Sequence, residues 1–253
     1  MSRIVFIGAG NLAVSLSGAL QRAGHSLLQV YSRTEASARA LAGRLGCEWT
    51  VALEGVRQDA EVYIYALRDT AYPFHVPVSV PSALHLLTSG SVPFASLRGA
   101  ARAGVLYPFQ TFSKEQPVED FSEVPILVEA ADAASLEQAR TLARSVSHCV
   151  FDSTPESRAR LHLAGVLANN FANCLYALAG EQLQKAGLPF DILLPLIDET
   201  ARKVHTLSPR EAQTGPAVRG DKTVMDRQLL LLPDERLRTI YRILSENIQQ
   251  HRI

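Results

Sequence analysis

The first 24 residues place the tightest limit on how this chain can fold. Residues 3–7, RIVFI, are β-branched or aromatic in large part, which is typical of a buried parallel strand. The sequence GAGNLA follows at 8–13, and VSLSGALQRAG then shows helical spacing of apolar residues up to Gly24. This pattern predicts a strand, a tight glycine turn and a helix in immediate succession.

The glycine turn has the spacing of a dinucleotide-binding fingerprint. Gly8 permits the tight turn, Gly10 lets a pyrophosphate approach the backbone, and the small Ala13 lets the helix lie close to the strand. The phosphates would lie on the free N–H groups at the N-terminus of that helix. We therefore expect Gly8, Gly10, Asn11 and Leu12 to bind a dinucleotide; a glycine turn without a ligand is the alternative.

The residues after the second predicted strand favour NADP over NAD. That strand, LLQVY at 27–31, is followed by Ser32, Arg33 and Thr34, and the first acidic residue is Glu35. An NAD site places an acid here to bind the ribose 2′-hydroxyl. A guanidinium with hydroxyls suits a 2′-phosphate instead, because an acid would repel the phosphate. We predict that Ser32, Arg33 and Thr34 bind NADP; the alternative makes Arg33 a solvated loop residue.

Strands and helices alternate up to residue 152. Helices are expected near 35–45 and 135–147, and strands near CEWTV (47–51), EVYIYAL (61–67), ALHLLTS (83–89), GVLYP (104–108), VPILVEA (124–130) and HCVFD (148–152). The alternation predicts an α/β fold with a Rossmann-type, doubly wound parallel sheet.

Ligands of such sheets bind beyond the carboxyl ends of the strands, near the reversal in strand order. The residues placed there, and so beside the cofactor, are Ala66, Leu67, Arg68, Thr88, Ser89 and Gly90. Thr88 and Ser89 are also open to a purely structural role, because such residues at strand ends are often turn or cap residues.

From Thr154 onward the composition is that of helices alone. We therefore predict a dinucleotide-binding domain at 1–152 and an all-helical domain for substrate binding and dimerisation at 153–253. The first helix is expected to run from STPES to Gly187, a second from Asp191 past Lys203, and a last over DERLRTIYRILSENIQQH (234–251).

Two charged residues of the second half are candidates for substrate binding. Arg219 lies in the loop TGPAVRGD (214–221), which either contacts substrate or is a structural turn with a local ion pair. Lys203 lies four residues after Glu199, so the alternative to substrate binding is a solvated helix pair.

The helical segment LHLAGVLANNFANC (161–174) carries a polar stripe. At about 100° per residue, His162, Asn169 and Asn173 return to nearly the same face. Burying an unpartnered polar group costs about 1–3 kcal/mol, so the stripe needs partners. Either it binds other parts of the protein, or it faces the interdomain cleft, where His162 exchanges a proton with substrate and Asn170 orients the reacting group. Asn169 and Asn173 would then bind substrate, and the histidine spacing does not favour a metal.

Charge and cysteine use exclude several classes of protein. With 25 basic and 25 acidic residues there is no net field to attract nucleic acid or an anionic membrane. The three cysteines form no C-x-x-C pair, which argues for a reducing compartment. The N-terminal apolar run of four is too short for a signal peptide, and no segment is apolar enough to span a membrane. We expect a cytoplasmic protein.

Five segments together resemble a family of two-domain, Rossmann-like NADP oxidoreductases. They are GAGNLA (8–13), TSGS (88–91), YPFQTFS (107–113), RARLHLAGVLANNFAN (158–173) and TGPAVRGD (214–221). The resemblance covers nearly the whole chain. It implies a fold similar to 6-phosphogluconate dehydrogenase, the β-hydroxyacid dehydrogenases and pyrroline-5-carboxylate reductase, with a helical second domain through which homodimers form.

The resemblance also bears on the reaction. β-Hydroxyacid dehydrogenases carry a K-x-x-N-N pattern on this helix, and matching Asn169 and Asn170 to it places Val166 at the lysine. Valine cannot transfer a proton, so His162, one turn earlier, becomes the candidate acid or base. The glycine- and serine-rich signature of pyrroline-5-carboxylate reductases is not reproduced.

We therefore predict an oxidoreductase that moves a hydride between NADP(H) and a small polar substrate in the interdomain cleft. The substrate classes considered are 2-oxoacids, hydroxyacids and imines. The alternative is a non-catalytic NADP-binding sensor or assembly protein that has lost the catalytic lysine.

Overall fold

The computed structural model describes residues 1–250. Contacts divide the chain into two compact units, with the division after Asn173. The change from mixed to purely helical structure comes earlier, after a strand that ends at Asp152. The predicted domain boundary between residues 152 and 153 follows the secondary structure and stays a prediction.

In the part of the chain that the structure describes, the first unit contains an eight-stranded sheet with the order β10-β9-β8-β6-β4-β1-β2-β3. The strands are β1 (Arg3–Ile7), β2 (Ser26–Tyr31), β3 (Glu48–Thr50), β4 (Val62–Tyr65), β6 (Leu84–Leu87), β8 (Arg102–Pro108), β9 (Ile126–Ala130) and β10 (Val150–Asp152), while β5 (Phe74–His75) pairs separately with β7 (Leu97–Arg98). The doubly wound α/β fold expected from the sequence is therefore present.

Both faces of the sheet are covered, which explains why its central strands are apolar throughout. The α-helices that alternate with the strands of the sheet are α1 (Asn11–Arg22), α2 (Glu35–Leu45) and α3 (Ala133–Arg144). In β1, Ile4 and Phe6 belong to one apolar cluster, whereas Val5 and Ile7 belong to the other. Alternate side chains of one strand thus enter two separate cores, as expected for a strand buried on both sides.

The strand order reverses between β1 and β4, and this reversal positions the candidate site. The chain leaves β1 toward β2 and β3, then returns to β4 on the other side of β1. Gly8, directly after β1, has a φ of 118°, and a Cβ built on it would lie 2.3 Å from the carbonyl oxygen of Ala66. Only glycine fits here, because the ends of β1 and β4 approach too closely for any side chain.

The sheet departs from the expected parallel arrangement at one pair. β9 runs antiparallel to β8, with Gly104 opposite Ala130 and Pro108 opposite Ile126. A parallel neighbour requires a long crossover that is usually helical, whereas residues 109–125 between these strands contain no helix. The chain can therefore return directly, and β10 then pairs parallel to β9.

The first helix of the second half is interrupted by a wider turn. It consists of α4 (Pro155–Gly165), a π-helical turn (Val166–Phe171) and α5 (Ala172–Lys185). The side chain of Thr154 caps α4 by accepting a hydrogen bond from the backbone N–H of Ser157 at 3.2 Å. The uniform 100° spacing assumed for the polar stripe therefore does not hold across the π turn.

The second unit is helical. Its remaining helices in the described residues are α6 (Leu194–Lys203), α7 (Pro216–Arg219), α8 (Lys222–Leu231) and α9 (Glu235–Gln250). α6 ends at Lys203 rather than beyond it, and α8 was not expected from the sequence. The last predicted helix agrees with α9, except that its final residue, His251, lies outside the described residues.

Candidate active site

The N-terminus of α1 is built to receive an anion. Gly10 stands at the N-cap, no side chain caps the helix, and its first turn contains no acidic residue. A Cβ built on Gly10 would meet no atom within 4 Å, so open space faces this position. Uncapped N–H groups, the positive end of the helix dipole and a bare backbone fit the pyrophosphate of a dinucleotide.

A cleft of ≈ 470 Å³ opens beside this turn, entirely within the first unit. Its lining residues come from the ends of the central strands and from the segments that follow them: Gly10, Asn11, Leu12, Ala66, Leu67, Arg68, Asp69, Thr88, Ser89, Gly90, Tyr107, Lys114 and His162. The cleft thus brings together most of the predicted cofactor-binding residues. Gly8 lies beneath it, in the turn itself.

The segment between β8 and β9 contributes Lys114, which sequence reasoning missed. The side-chain amide of Asn11 donates to the carbonyl oxygen of Phe112 at 3.0 Å, and the hydroxyl of Ser15 accepts from the backbone N–H of Val118 at 3.1 Å. These hydrogen bonds hold the segment against α1. Lys114 therefore lies among the residues around the glycine turn, where its ammonium group suits a phosphate.

The candidate 2′-phosphate residues follow β2. Ser32 is buried, and its hydroxyl oxygen accepts a 3.5 Å hydrogen bond from the backbone N–H of Thr34. Arg33 and Thr34 are exposed, and Arg33 forms no ion pair with the described residues. A free guanidinium without an acidic neighbour before Glu35 fits a phosphate better than a ribose hydroxyl.

Thr88 and Ser89 form hydrogen bonds that stabilise the local structure, which was the alternative to a role in cofactor binding. The hydroxyl of Thr88 donates to the carbonyl oxygen of Tyr65 at 3.1 Å. The hydroxyl oxygen of Ser89 accepts from the backbone N–H groups of Ser91 at 3.1 Å and Val92 at 3.0 Å. Both residues shape the loop after β6, while also lining the cleft.

Tyr107 and His162 form a hydrogen-bonded pair at the edge of the cleft. The Tyr107 hydroxyl lies 3.0 Å from Nδ1 of His162, and the two ring centroids are 6.2 Å apart. Burial, reinforced by the negative charge of Asp69, raises the pKa of Tyr107, so its hydroxyl keeps its proton near neutral pH. The pair therefore combines a protonated phenol with a histidine, the side chain best suited to proton exchange near neutral pH.

Gly90 leaves just enough room for this pair. A Cβ built on Gly90 would lie 2.7 Å from Nδ1 of His162 and 2.8 Å from Cζ of Tyr107. Contacts this short are not tolerated, so any side chain here would push the two rings apart. The glycine was expected beside the cofactor; its contact with the pair was not.

A second pocket of ≈ 230 Å³ adjoins the cleft, and Tyr107 and His162 line both. Its walls come from the end of β8 with the segment after it, and from α4 with the π turn: Tyr107, Phe109, Gln110, Thr111, His162, Gly165, Val166, Ala168, Asn169 and Asn170. The π turn matters because it places consecutive asparagines in one pocket with His162. Such turns are frequent at functional sites.

Three of the four residues predicted to bind substrate line neither cavity, and among the residues predicted to bind the cofactor Ser32, Arg33 and Thr34 also lie outside both. Asn173 is exposed, two residues beyond the π turn. Lys203 and Arg219 belong to the second unit, where Lys203 forms an ion pair with Glu199 at 3.8 Å and Arg219 ends α7. A role in substrate binding for these residues stays a prediction.

Arg158 anchors α4 to the part of the sheet that carries Tyr107. Its side chain is 1% exposed, forms an ion pair with the buried Glu129 of β9, and donates to the carbonyl oxygen of Val92 at 2.8 Å. Glu129 pairs with Val105, two residues before Tyr107 on β8. One guanidinium thus joins the helix of His162, the strand beside Tyr107 and the loop that contains Gly90.

Residues 1–250 contain neither a metal-binding cluster nor a membrane-spanning helix. No group of three or more His, Cys, Asp or Glu residues in this range is arranged to hold a metal ion. Nor does any helix in this range combine the length and apolar character needed to cross a membrane.

Comparisons with known proteins assign the chain to a family. Residues 3–87 match the family described as NADP oxidoreductase coenzyme F420-dependent, and residues 124–248 match a domain of unknown function, DUF2520. A "putative NADP oxidoreductase" from Bacteroides fragilis is 44% identical, with 98% of each chain covered and a TM-score of 0.92. The chain belongs to this family of Rossmann-like NADP oxidoreductases. NADP is the cofactor that the family is named for, as the residues after β2 led us to expect.

More distant structures share the fold alone. A 1-pyrroline-5-carboxylate reductase from Streptococcus pyogenes is 10% identical with a TM-score of 0.62, and 98% of each chain is covered. An imine reductase from Myxococcus stipitatus in complex with NADP⁺ is 17% identical with a TM-score of 0.61, over 98% of this chain and 92% of the other. No curated protein matches the chain.

Proposed function

We propose that this oxidoreductase transfers a hydride between NADP(H) and a small polar substrate, with His162 exchanging the accompanying proton. The observation that carries the proposal is that Tyr107 and His162 line both the cleft beside the glycine turn and the adjoining pocket. A cofactor in the cleft and a substrate in the pocket would then meet at a pair able to supply or remove a proton.

Residues of the cleft and residues of the segment after β2 would bind different parts of the cofactor. Gly10, Asn11 and Leu12 would receive the pyrophosphate on the backbone N–H groups of α1, with Lys114 adding a positive charge. Arg33 with its neighbouring hydroxyls would bind the 2′-phosphate. When bound, the nicotinamide supplies or accepts the hydride.

The proton chemistry belongs to the chain itself. Tyr107 keeps its proton, so we assign its hydroxyl oxygen as the acceptor of a hydrogen bond from the Nδ1–H of His162. This bond would orient the imidazole and leave Nε2 for the substrate. In reduction, the doubly protonated imidazole would give its Nε2 proton to the oxygen or nitrogen of the substrate's carbonyl or imine group, and in oxidation the neutral imidazole would take that proton back at Nε2. Asn170 would orient the same group through its carboxamide.

Substitutions of the pair test this assignment. We expect His162→Ala to lower kcat by about 10²–10⁴, the usual contribution of general acid–base catalysis, while leaving the Kd for NADPH unchanged. Tyr107→Phe should have a smaller effect, because the imidazole remains but loses its orientation. The rate is measured as NADPH oxidation with 2-oxoacids or cyclic imines, and as NADP⁺ reduction with β-hydroxyacids.

His148→Ala is the matched control, since His148 is exposed and lies outside both cavities. Unchanged activity in both His162→Ala and Asn170→Ala would refute their proposed roles. If NADPH binds but no substrate class is turned over, the NADP-binding sensor becomes the better account, because the cofactor fold would then serve binding alone.

We also propose that the protein forms homodimers through its helical second unit. The support is a set of exposed apolar side chains there: Leu196, Leu230 and Leu231 are 63%, 80% and 78% exposed. Exposed large apolar side chains of this kind are what a dimer interface would cover. Sedimentation equilibrium would show a mass of two chains, and a monomer at tens of micromolar would contradict the proposal. Cytoplasmic location likewise stays a prediction.

A further inference from the structure

We propose that the pocket beside the Tyr107–His162 pair favours an uncharged substrate group of the cyclic imine kind, for which a neutral lactam is an unreactive analogue, over a group that carries a carboxylate. This inference rests on the proposed function, because it concerns the substrate of the same site. Of the substrate classes considered, it favours the imines over the 2-oxoacids and hydroxyacids.

The composition of the pocket carries the argument. Among the described residues that line it there is no Lys, Arg, Asp or Glu. Its polar groups are the carboxamides of Gln110, Asn169 and Asn170 and the hydroxyls of Thr111 and Tyr107, together with His162. The rest of the wall is apolar, formed by Phe109, Val166, Ala168 and the bare backbone of Gly165.

The pocket is narrowed further by a close aromatic contact. A Cβ built on Gly165 would lie 2.7 Å from Cε2 of Phe109, so the ring sits directly against the helix backbone. A flat apolar wall of this kind favours a small planar group and offers no hydrogen bond to an anion. Because no Lys or Arg is among the described residues that line the pocket, a carboxylate there would gain no charge-assisted hydrogen bond from an ammonium or guanidinium group.

The charged side chains lie instead in the adjoining cleft. Arg68, Lys114 and Asp69 line that cleft together with Gly10 at the helix N-terminus, where phosphates would lie. The two cavities therefore differ in charge although they share Tyr107 and His162. A substrate carboxylate in the second pocket would find no lysine or arginine among the described residues there, whereas the cofactor phosphates in the cleft would.

The carboxamides match a neutral group that both donates and accepts hydrogen bonds. The side chains of Asn169 and Asn170 form no hydrogen bond with the residues that the structure describes. The side-chain oxygen of Gln110 accepts from the backbone N–H of Thr111 at 2.8 Å. Each asparagine thus keeps an acceptor oxygen and a donor NH₂, which are complementary to the N–H and C=O of a lactam or amide.

A pair of ligands that differ only in charge tests the inference. 2-Pyrrolidinone and L-pyroglutamate share the lactam ring, and only pyroglutamate carries a carboxylate. Calorimetric titration of each into the NADP⁺-saturated protein should show 2-pyrrolidinone binding roughly tenfold tighter or more, since 1.4 kcal/mol corresponds to a factor of ten. Equal affinity, tighter binding of pyroglutamate, or no binding of either ligand would overturn the inference.

Placing a cation in the pocket should reverse the preference. Val166→Lys introduces an ammonium group among the lining residues, and Val166→Met is the control of similar length without charge. We expect the lysine variant to bind pyroglutamate more tightly than 2-pyrrolidinone and the methionine variant to keep the original order. If both variants keep the original order, the charge of the pocket does not set its specificity.

These outcomes are distinct from a failure of the proposed function. A protein that does not bind NADPH contradicts the function itself, and that titration needs no substrate. A protein that binds NADPH yet reduces 2-oxoacids in preference to neutral imines supports the function and contradicts the inference about the substrate.

Discussion

Gly90 shows how closely single residues control this site. We predict that Gly90→Ala lowers kcat/KM by roughly tenfold or more, because the new Cβ would separate Tyr107 from His162 by steric contact with both. The fold should survive, since the rings can move apart toward the cavities. Steady-state rates and the Tm of the variant measure the two effects separately.

Gly43→Ala is the control for that substitution. A Cβ on Gly43 meets no atom within 4 Å, and the residue lies within α2. Alanine favours the helix by about 0.5–1 kcal/mol over glycine, so this variant should be slightly more stable and fully active. Equal activity of the Gly90 and Gly43 variants would show that the Tyr107–His162 contact is not needed.

The two glycines of the first turn should respond differently to alanine. At Gly8 the positive φ and the 2.3 Å approach to Ala66 predict a loss of roughly 2 kcal/mol or more in the free energy of unfolding. At Gly10 the space is open, so Gly10→Ala should keep its stability and raise the Kd for NADPH by roughly tenfold. Urea unfolding and NADPH fluorescence titration measure the two quantities. Unchanged NADPH affinity in Gly10→Ala would contradict the assignment of the turn.

Sequence reasoning reached some of these residues and missed others for physical reasons. Gly8 and Gly10 were identifiable because their roles depend on local geometry, which their spacing encodes. Tyr107 was not assigned a role, since its contact with His162 joins residues 55 apart in sequence. Its position at the end of a predicted strand was the one available signal, because ligands gather at strand ends.

At the scale of elements, the Arg158–Glu129 pair fixes α4 to the sheet. We predict that Glu129→Ala destabilises the protein by about 3–5 kcal/mol, the usual cost of leaving one partner of a buried ion pair alone. The matched control is Glu156→Ala on α4, the helix of Arg158. Glu156 pairs with Arg160 at the exposed surface, and such a pair contributes little to stability. Similar stability in the two variants, measured by urea unfolding, would contradict the proposed anchor.

The elements themselves were predictable where periodicity was strong. β1, α1, β2 and α2 combine apolar spacing with clear stop signals, and the structure has them where they were expected. The antiparallel direction of β9 could not be predicted, because the residue pattern of a buried strand does not indicate its direction in the sheet. The π turn also has no sequence signature, since it adds one residue to an otherwise helical segment.

For the molecule as a whole, burial of histidines predicts that stability falls in mild acid. His85 is 1% exposed, and burial lowers its pKa from 6.5 to about 4; burial also lowers the pKa of His25. The unfolded chain therefore binds more protons between these values, so the free energy of unfolding falls as the pH drops from about 6.5 toward 4. We expect a loss of about 1–3 kcal/mol over this range.

Urea unfolding at about pH 7 and about pH 4.5 measures this loss. The control is His85→Asn, which keeps a hydrogen-bonding group beside the Tyr65 hydroxyl, 2.8 Å from Nδ1 in the wild type, but does not titrate. Its stability should depend less on pH across the same range. An equally steep dependence in the variant would show that other groups cause the effect.

We propose that the first unit of this NADP oxidoreductase binds the cofactor at the end of β1. The most direct test is parallel titration of the purified protein with NADPH and NADH, followed by nicotinamide fluorescence. We predict that NADPH binds at least roughly tenfold more tightly than NADH, and that Arg33→Ala removes most of this difference while leaving NADH affinity unchanged. Undetectable binding of NADPH, or equal affinity for the two cofactors, would contradict the account.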